Sequence, residues 1–181
     1  MKEFKAMSLI RFIIFLSFIF PAKAQTLKNN NIHYLTDTTA NFDSLISEFK
    51  GKIIYVDIWA TWCSPCTHEL QMRKDTKAFK DFASKNDIVI LYICCDKNSK
   101  EWKSFITANK LTGYHILVNP YLDKDFHTTF STVQNRKGVM KRSFYIPRHI
   151  IIDKNGMVAD SSVDSQGSAS VYAQLKKLLN K

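Results

Sequence analysis

Cys63 and Cys66, set in "IWATWCSPCTHEL" (Ile58 to Leu70), are the residues whose type and spacing most directly offer chemistry. Two cysteines with two residues between them can cycle between dithiol and disulfide, hold half of a zinc site, carry a haem or staple a fold. Covalent haem needs a histidine directly after the second cysteine; position 67 is Thr, and His68 comes one residue late. A structural zinc needs two further ligands at short spacing. The remaining cysteines, Cys94 and Cys95, are adjacent in a strand-like run, so they point to opposite faces and supply that pair poorly. A stapled scaffold would spread its cysteines, whereas these four form two tight clusters and leave the last 86 residues without any.

The redox reading makes demands that the neighbouring residues meet. An apolar run precedes Cys63 and a charged, Gly-free run follows it, which predicts a strand giving way to a helix. A thiol at a helix N-terminus is stabilised as thiolate by the dipole and by free backbone N–H groups. Pro65 falls in the first turn, where its missing N–H is not needed. Cys66 is expected one turn deeper, more buried and less acidic. Cys63 is therefore the expected nucleophile toward a substrate disulfide, and Cys66 the thiol that resolves the mixed disulfide.

Two acids compete for the proton of Cys66. Asp57 lies among Tyr55, Val56, Ile58 and Trp59, where an unpaired carboxylate is costly. Burial disfavours its charged form, so it is expected to hold a proton and exchange it with Cys66. Glu69 is the second candidate, with an ordinary exposed helix residue as its alternative. His68 is expected to be exposed and receives no role. Cys94 and Cys95 are expected to be strand residues, at least one of them a small apolar core side chain.

The elements that must position these residues follow from periodicity. Residues 25 to 40 are polar and predict a linker or N-terminal extension. Asn41 can cap a short helix with Phe42, Leu45, Ile46 and Phe49 on one side, ended by Gly51. "KIIYVDIWA" (Lys52 to Ala60) and "DIVILYICCD" (Asp87 to Asp96) predict strands buried on both faces. Between them, Ser64 to about Ser84 predicts one long helix. Trp102, Phe105 and Ile106 mark a short helix, and Tyr114 to Asn119 a third strand. Pro120 to Ser143 predicts a helix turn and a surface loop. "RHIIID", "KNG" and "MVADSSV" predict a hairpin turning at Asn155-Gly156. Val171, Leu175, Leu178 and Leu179 mark a terminal amphipathic helix. This order calls for an α/β fold, a mixed sheet covered by helices on both faces.

With 181 residues, 45% of them hydrophobic and only 5 Gly and 4 Pro, the chain has enough for one core and too little for two. Residues 1 to 24 stand apart: a basic start, the run "FIIFLSFIF" (Phe12 to Phe20) and the small residues of Ala22-Lys23-Ala24 predict a signal peptide cleaved near Ala24. The run is well short of the roughly 20 residues that a spanning helix needs. Removing Lys2, Lys5, Arg11, Lys23 and Glu3 leaves 22 cations against 15 anions, a net charge of +7. Those cations are scattered among acids without an aromatic-interleaved stripe, which argues against a nucleic-acid partner.

"VDIWATWCSPC" resembles the active-site segment of the thioredoxins, with Trp62 at the Trp before the first cysteine and Asp57 at the buried acid on the preceding strand. "CSPCTHEL" is similar to exported thioredoxins of the TlpA type, whose glutamate three residues after the second cysteine matches Glu69. "YIPRHIIIDKNG" is similar to the family's loop in which an apolar residue and a cis-proline face the cysteines; Ile146 and Pro147 hold those positions. The resemblance covers residues from about Phe42 to the C-terminus and implies a thioredoxin-like domain over 41–181.

It further implies an exported, periplasmic or cell-envelope thiol-disulfide oxidoreductase that needs no cofactor. Reduction of disulfides in client proteins is the implied direction, with electrons from a separate donor such as a membrane thiol reductase. Trp62, Ile146 and Pro147 would frame the substrate, the backbone of Ile146 pairing with an extended client segment. The rival from another class is a peptide-binding or chaperone module in which the cysteines matter little. A thiol peroxidase would need Thr three residues before its reactive cysteine, and that residue is Ala60. Two departures stand out: residues 25 to 40 are polar and short for the family's N-terminal hairpin, and residues 120 to 145 are longer and more basic than a plain thioredoxin needs, which suggests a partner or substrate surface.

Overall fold

The computed structural model describes residues 31–36, 40–72, 76–136 and 138–181. The expected leader and its cleavage near Ala24 lie outside the described residues. Six strands form one sheet in the order β1-β4-β3-β2-β7-β8: β1 (Ile32–Tyr34), β2 (Ile54–Trp59), β3 (Val89–Cys94), β4 (Gly113–Leu117), β7 (Arg148–Ile152) and β8 (Val158–Val163). The pairs β1–β4, β4–β3 and β3–β2 are parallel, while β2–β7 and β7–β8 are antiparallel. The expected mixed sheet is present, with β2 near its centre.

Strand alternation divides β2 between two cores. Ile54, Val56 and Ile58 face a layer formed by α1 (Phe42–Ser47) and α5 (Pro120–Thr129), through Phe42, Leu45, Leu122 and Phe126. Tyr55 and Trp59 face the opposite layer, formed by α2 (Ser64–Met72), α3 (Thr76–Lys85), α4 (Ser99–Ala108) and α6 (Ala169–Leu179). Cys63 and Cys66 belong to this second core, together with Leu70, Phe79, Trp102, Ile106, Val171 and Leu175. Asp57, between Tyr55 and Trp59 in the alternation, is on the cysteine side of the sheet.

Several boundaries differ from the sequence expectation. The polar 25–40 stretch contributes β1, an edge strand whose few backbone pairs to β4 suffice without a strongly apolar sequence. The long helix expected from Ser64 to Ser84 is two helices, α2 and α3; the residues joining them lie outside the described set. The region expected as a helix turn and loop holds a ten-residue helix, α5, capped by Asn119 with Pro120 in its first turn. It also holds a separate hairpin of β5 (Thr132–Arg136) and β6 (Val139–Ser143). That hairpin has exposed side chains on both faces, so burial gives its strands no apolar alternation to read.

Candidate active site

Cys63 ends the β2–α2 connection, and α2 starts at Ser64. The carbonyl of Cys63 accepts the N–H of Thr67 at 3.0 Å, the first bond of the helix. Pro65 lacks an N–H at a point where the helix has no use for one. The N–H of Cys66 points back at Cys63 Sγ, 3.4 Å away. The two cysteines are joined as a disulfide with Cα atoms 5.3 Å apart. A backbone donor aimed at Cys63 Sγ at the start of a helix favours a thiolate there once the bond is reduced. Both sulfurs are largely buried, Cys66 more deeply than Cys63.

The loop before the cysteines is held from β3. Asp96, buried just beyond that strand, accepts the N–H of Thr61 at 3.0 Å, and the N–H of Cys95 bonds to Trp59 O at 2.8 Å. Trp62, between these anchors and Cys63, is 69% exposed. The Ile146–Pro147 peptide is cis and leads directly into β7, whose first residue, Arg148, pairs with Ile58 near the end of β2. Ile146 is half-buried and packs against the core that contains Cys63 and Cys66.

One more residue belongs to this centre, and sequence reasoning gave it no role. His149 stands opposite Asp57 in the β2–β7 register. Its Nε2 lies 3.6 Å from Asp57 Oδ1 and 3.4 Å from Glu69 Oε2. Its ring stacks on Tyr55 at 5.8 Å between centroids. Burial works against its charged form, but Asp57, Glu69 and a backbone hydrogen bond to Val163 together outweigh that and raise its affinity for a proton. The two acids expected to compete for one role are thus bridged by an imidazole. The available signal was a titratable residue inside the apolar run "RHIIID", two residues after Pro147; the same burial reasoning that singled out Asp57 applies to it.

Cys94 and Cys95 are unbonded. Burial pushes both thiols up, with Asp123 and Asp96 adding to it at Cys95, which reaches about 12. The raised values favour the protonated thiol in both. His68 is exposed, as expected.

Residues 51–158, more than half of the chain, match the thioredoxin-like family. The chain belongs to the thioredoxin-like family. Among its relatives, the thioredoxin-like protein YneN of Bacillus subtilis is 25% identical over 139 residues, covering 76% of this chain and 72% of its own length. The thiol-disulfide oxidoreductase ResA of Bacillus thuringiensis subsp. konkukian is 21% identical over 136 residues, covering 74% of this chain and 67% of its own. A solved thiol:disulfide interchange protein of Chlorobium tepidum superposes with a TM-score of 0.55 at 19% identity, over 74% of this chain and 83% of that one, a likeness of fold. Cys63-Ser64-Pro65-Cys66 is the CxxC redox pair of this thioredoxin-like protein, and its reaction class is thiol–disulfide exchange.

Proposed function

We propose that this thioredoxin-like protein is an exported reductant of disulfides in client proteins of the periplasm or cell envelope. The observation that carries this reading is the Cys63–Cys66 bond itself: it forms at the start of α2, directly after the exposed Trp62, in a core against which Ile146 packs. In the reduced protein the Cys63 thiolate attacks a client disulfide, forming a mixed disulfide and expelling one client thiolate. Cys66 loses its proton and attacks Cys63 Sγ. The Cys63–Cys66 bond re-forms, two electrons have passed to the client, and its second thiolate leaves.

Trp62 and the Ile146–Pro147 segment hold the client; Asp57 and Glu69 handle the Cys66 proton. The oxidised pair must then be re-reduced by a separate donor, for which a membrane thiol reductase is the class that reaches an exported domain. Client contact extends to the β5–β6 hairpin, which leads through Ile146 and Pro147 into β7. Cleavage of residues 1–24 leaves the thioredoxin-like domain, whose sheet begins with β1 inside the 25–40 stretch.

Insulin reduction tests the reading. The wild type is expected to reduce insulin, Cys63→Ser to be inactive, and Cys66→Ala to accumulate mixed disulfides through Cys63. Equal client binding by wild type and Cys63→Ser, with no reduction by either, would instead favour a peptide-binding module. A Cys63–Cys66 potential near that of a strong periplasmic oxidant, about −120 mV, would overturn the assigned direction.

A further inference from the structure

We infer that His149 is a positioning residue that joins Asp57 and Glu69 into one proton-carrying unit serving Cys66. This rests on the redox cycle proposed above and specifies how the resolving thiol loses its proton.

Three observations carry it. The first is placement: Asp57 shares the cysteine side of the sheet with Tyr55 and Trp59, while Glu69 lies three residues after Cys66 on α2, hence on the same helix face. The second is geometry: a single nitrogen, Nε2 of His149, is within 3.6 Å of one carboxylate and 3.4 Å of the other. One N–H can serve only one carboxylate at a time, and both distances exceed an ordinary hydrogen bond by a few tenths of an ångström. The proton can therefore be shared by a small ring movement and is not locked to one side.

The third is a gradient of exposure: the side chains of Asp57 and His149 are 4% and 6% exposed, that of Glu69 31%. Glu69 is the outlet of the unit and Asp57 its buried end. The groups facing His149 are Asp57 and the Tyr55 ring from β2, Glu69 from α2 and the Val163 backbone from β8. Tyr92, from β3, interacts with Asp57 from the other side.

The step balances as follows. The Cys66 S–H proton passes to a carboxylate of the unit, and the Cys66 thiolate attacks Cys63 Sγ. The bond from Cys63 to the client sulfur breaks, the Cys63–Cys66 bond forms, and the client thiolate takes a proton from water. Glu69 then releases the proton to solvent.

The test is the pH profile of this one step, measured as release of a peptide thiol from a preformed Cys63 mixed disulfide. His149→Phe keeps a ring against Tyr55 and removes the nitrogen that joins the two carboxylates; His149→Gln keeps a polar side chain and removes the titration. At about pH 7 both are expected to release the peptide roughly tenfold more slowly or worse, and to recover as hydroxide takes over at higher pH. A folded variant with the wild-type rate and pH profile overturns the inference. Should neither variant fold, the imidazole of His149 is titrated by NMR in wild type and Glu69→Gln: a lower pKa in the variant supports the unit, and an unchanged one overturns it. Failure of the wild type to form or resolve any mixed disulfide would sink the redox cycle itself, a different outcome from normal resolution without His149.

Discussion

Asp57 and His149 stand directly opposite one another on the antiparallel strands β2 and β7, with Oδ1 and Nε2 3.6 Å apart in an interior closed to solvent. Removing either partner alone leaves the other buried with less compensation, so single substitutions here are costly.

The proton affinity of His149 is raised on folding. A raised value means that the folded state binds the proton more tightly than the unfolded chain. The resulting stabilisation is complete below the ordinary histidine value, about 6.5, and disappears as pH rises through the higher folded value. Thermal unfolding of wild type and His149→Phe as a function of pH should show a difference that depends on pH in this window, with the wild type losing stability relative to the variant as pH rises. Parallel curves would contradict the raised affinity.

His115, on β4, predicts the opposite sign. It is fully buried and stacked on Tyr92 at 4.8 Å, and its Nε2 lies 2.8 Å from Leu111 O. Burial is the main cause that lowers its pKa to about 4. The unfolded chain takes up a proton at this residue between about pH 6.5 and 4 while the folded one does not. Stability should fall through that interval by on the order of 3 kcal/mol from this group. Replacing His115 with Gln is expected to lower stability at neutral pH but to flatten its acid dependence, as urea titrations at several pH values would register.

Asp96 connects β3 to the redox loop through the N–H of Thr61. In Asp96→Ala that half-buried donor loses its partner, a cost on the order of 1 kcal/mol. The loop carrying Trp62 and Cys63 is then held less firmly, so slower mixed-disulfide formation should accompany the lower melting temperature. Wild-type kinetics in a destabilised Asp96→Ala would separate the anchor from the chemistry.

The elements around the cysteines were legible because their sequences are extreme. β2 and β3 are apolar on both faces, and only the centre of a sheet accommodates such strands. Asn41, Gly51 and Asn155-Gly156 bound their elements by local chemistry that needs no tertiary context. His149 was not legible in the same way: its partners depend on strand order, and nothing in "RHIIID" says that β7 lies beside β2. The β5–β6 hairpin was missed for a different reason, since strands exposed on both faces show no period in hydrophobicity.

That hairpin leads to the last prediction. Residues 131–148 contain no acid, and Lys141 and Arg142 are exposed cations on β6. Val139 and Met140 are exposed on it, as is Tyr145 beyond it. The Arg148 guanidinium donates to Ser161 O at 3.2 Å and to Thr132 Oγ1 at 3.5 Å, linking the base of the hairpin to β7 next to Pro147. A cationic surface with apolar tips, so placed, favours client segments that carry carboxylates near their disulfide. Lys141→Glu should lower kcat/KM a few-fold for an acidic disulfide peptide and leave a basic one unharmed, because an exposed charge acts mainly on encounter. The difference should shrink as added salt shortens the screening length from about 10 Å to about 3 Å. Equal kcat/KM for the two peptides in wild type and variant would remove the hairpin from client selection.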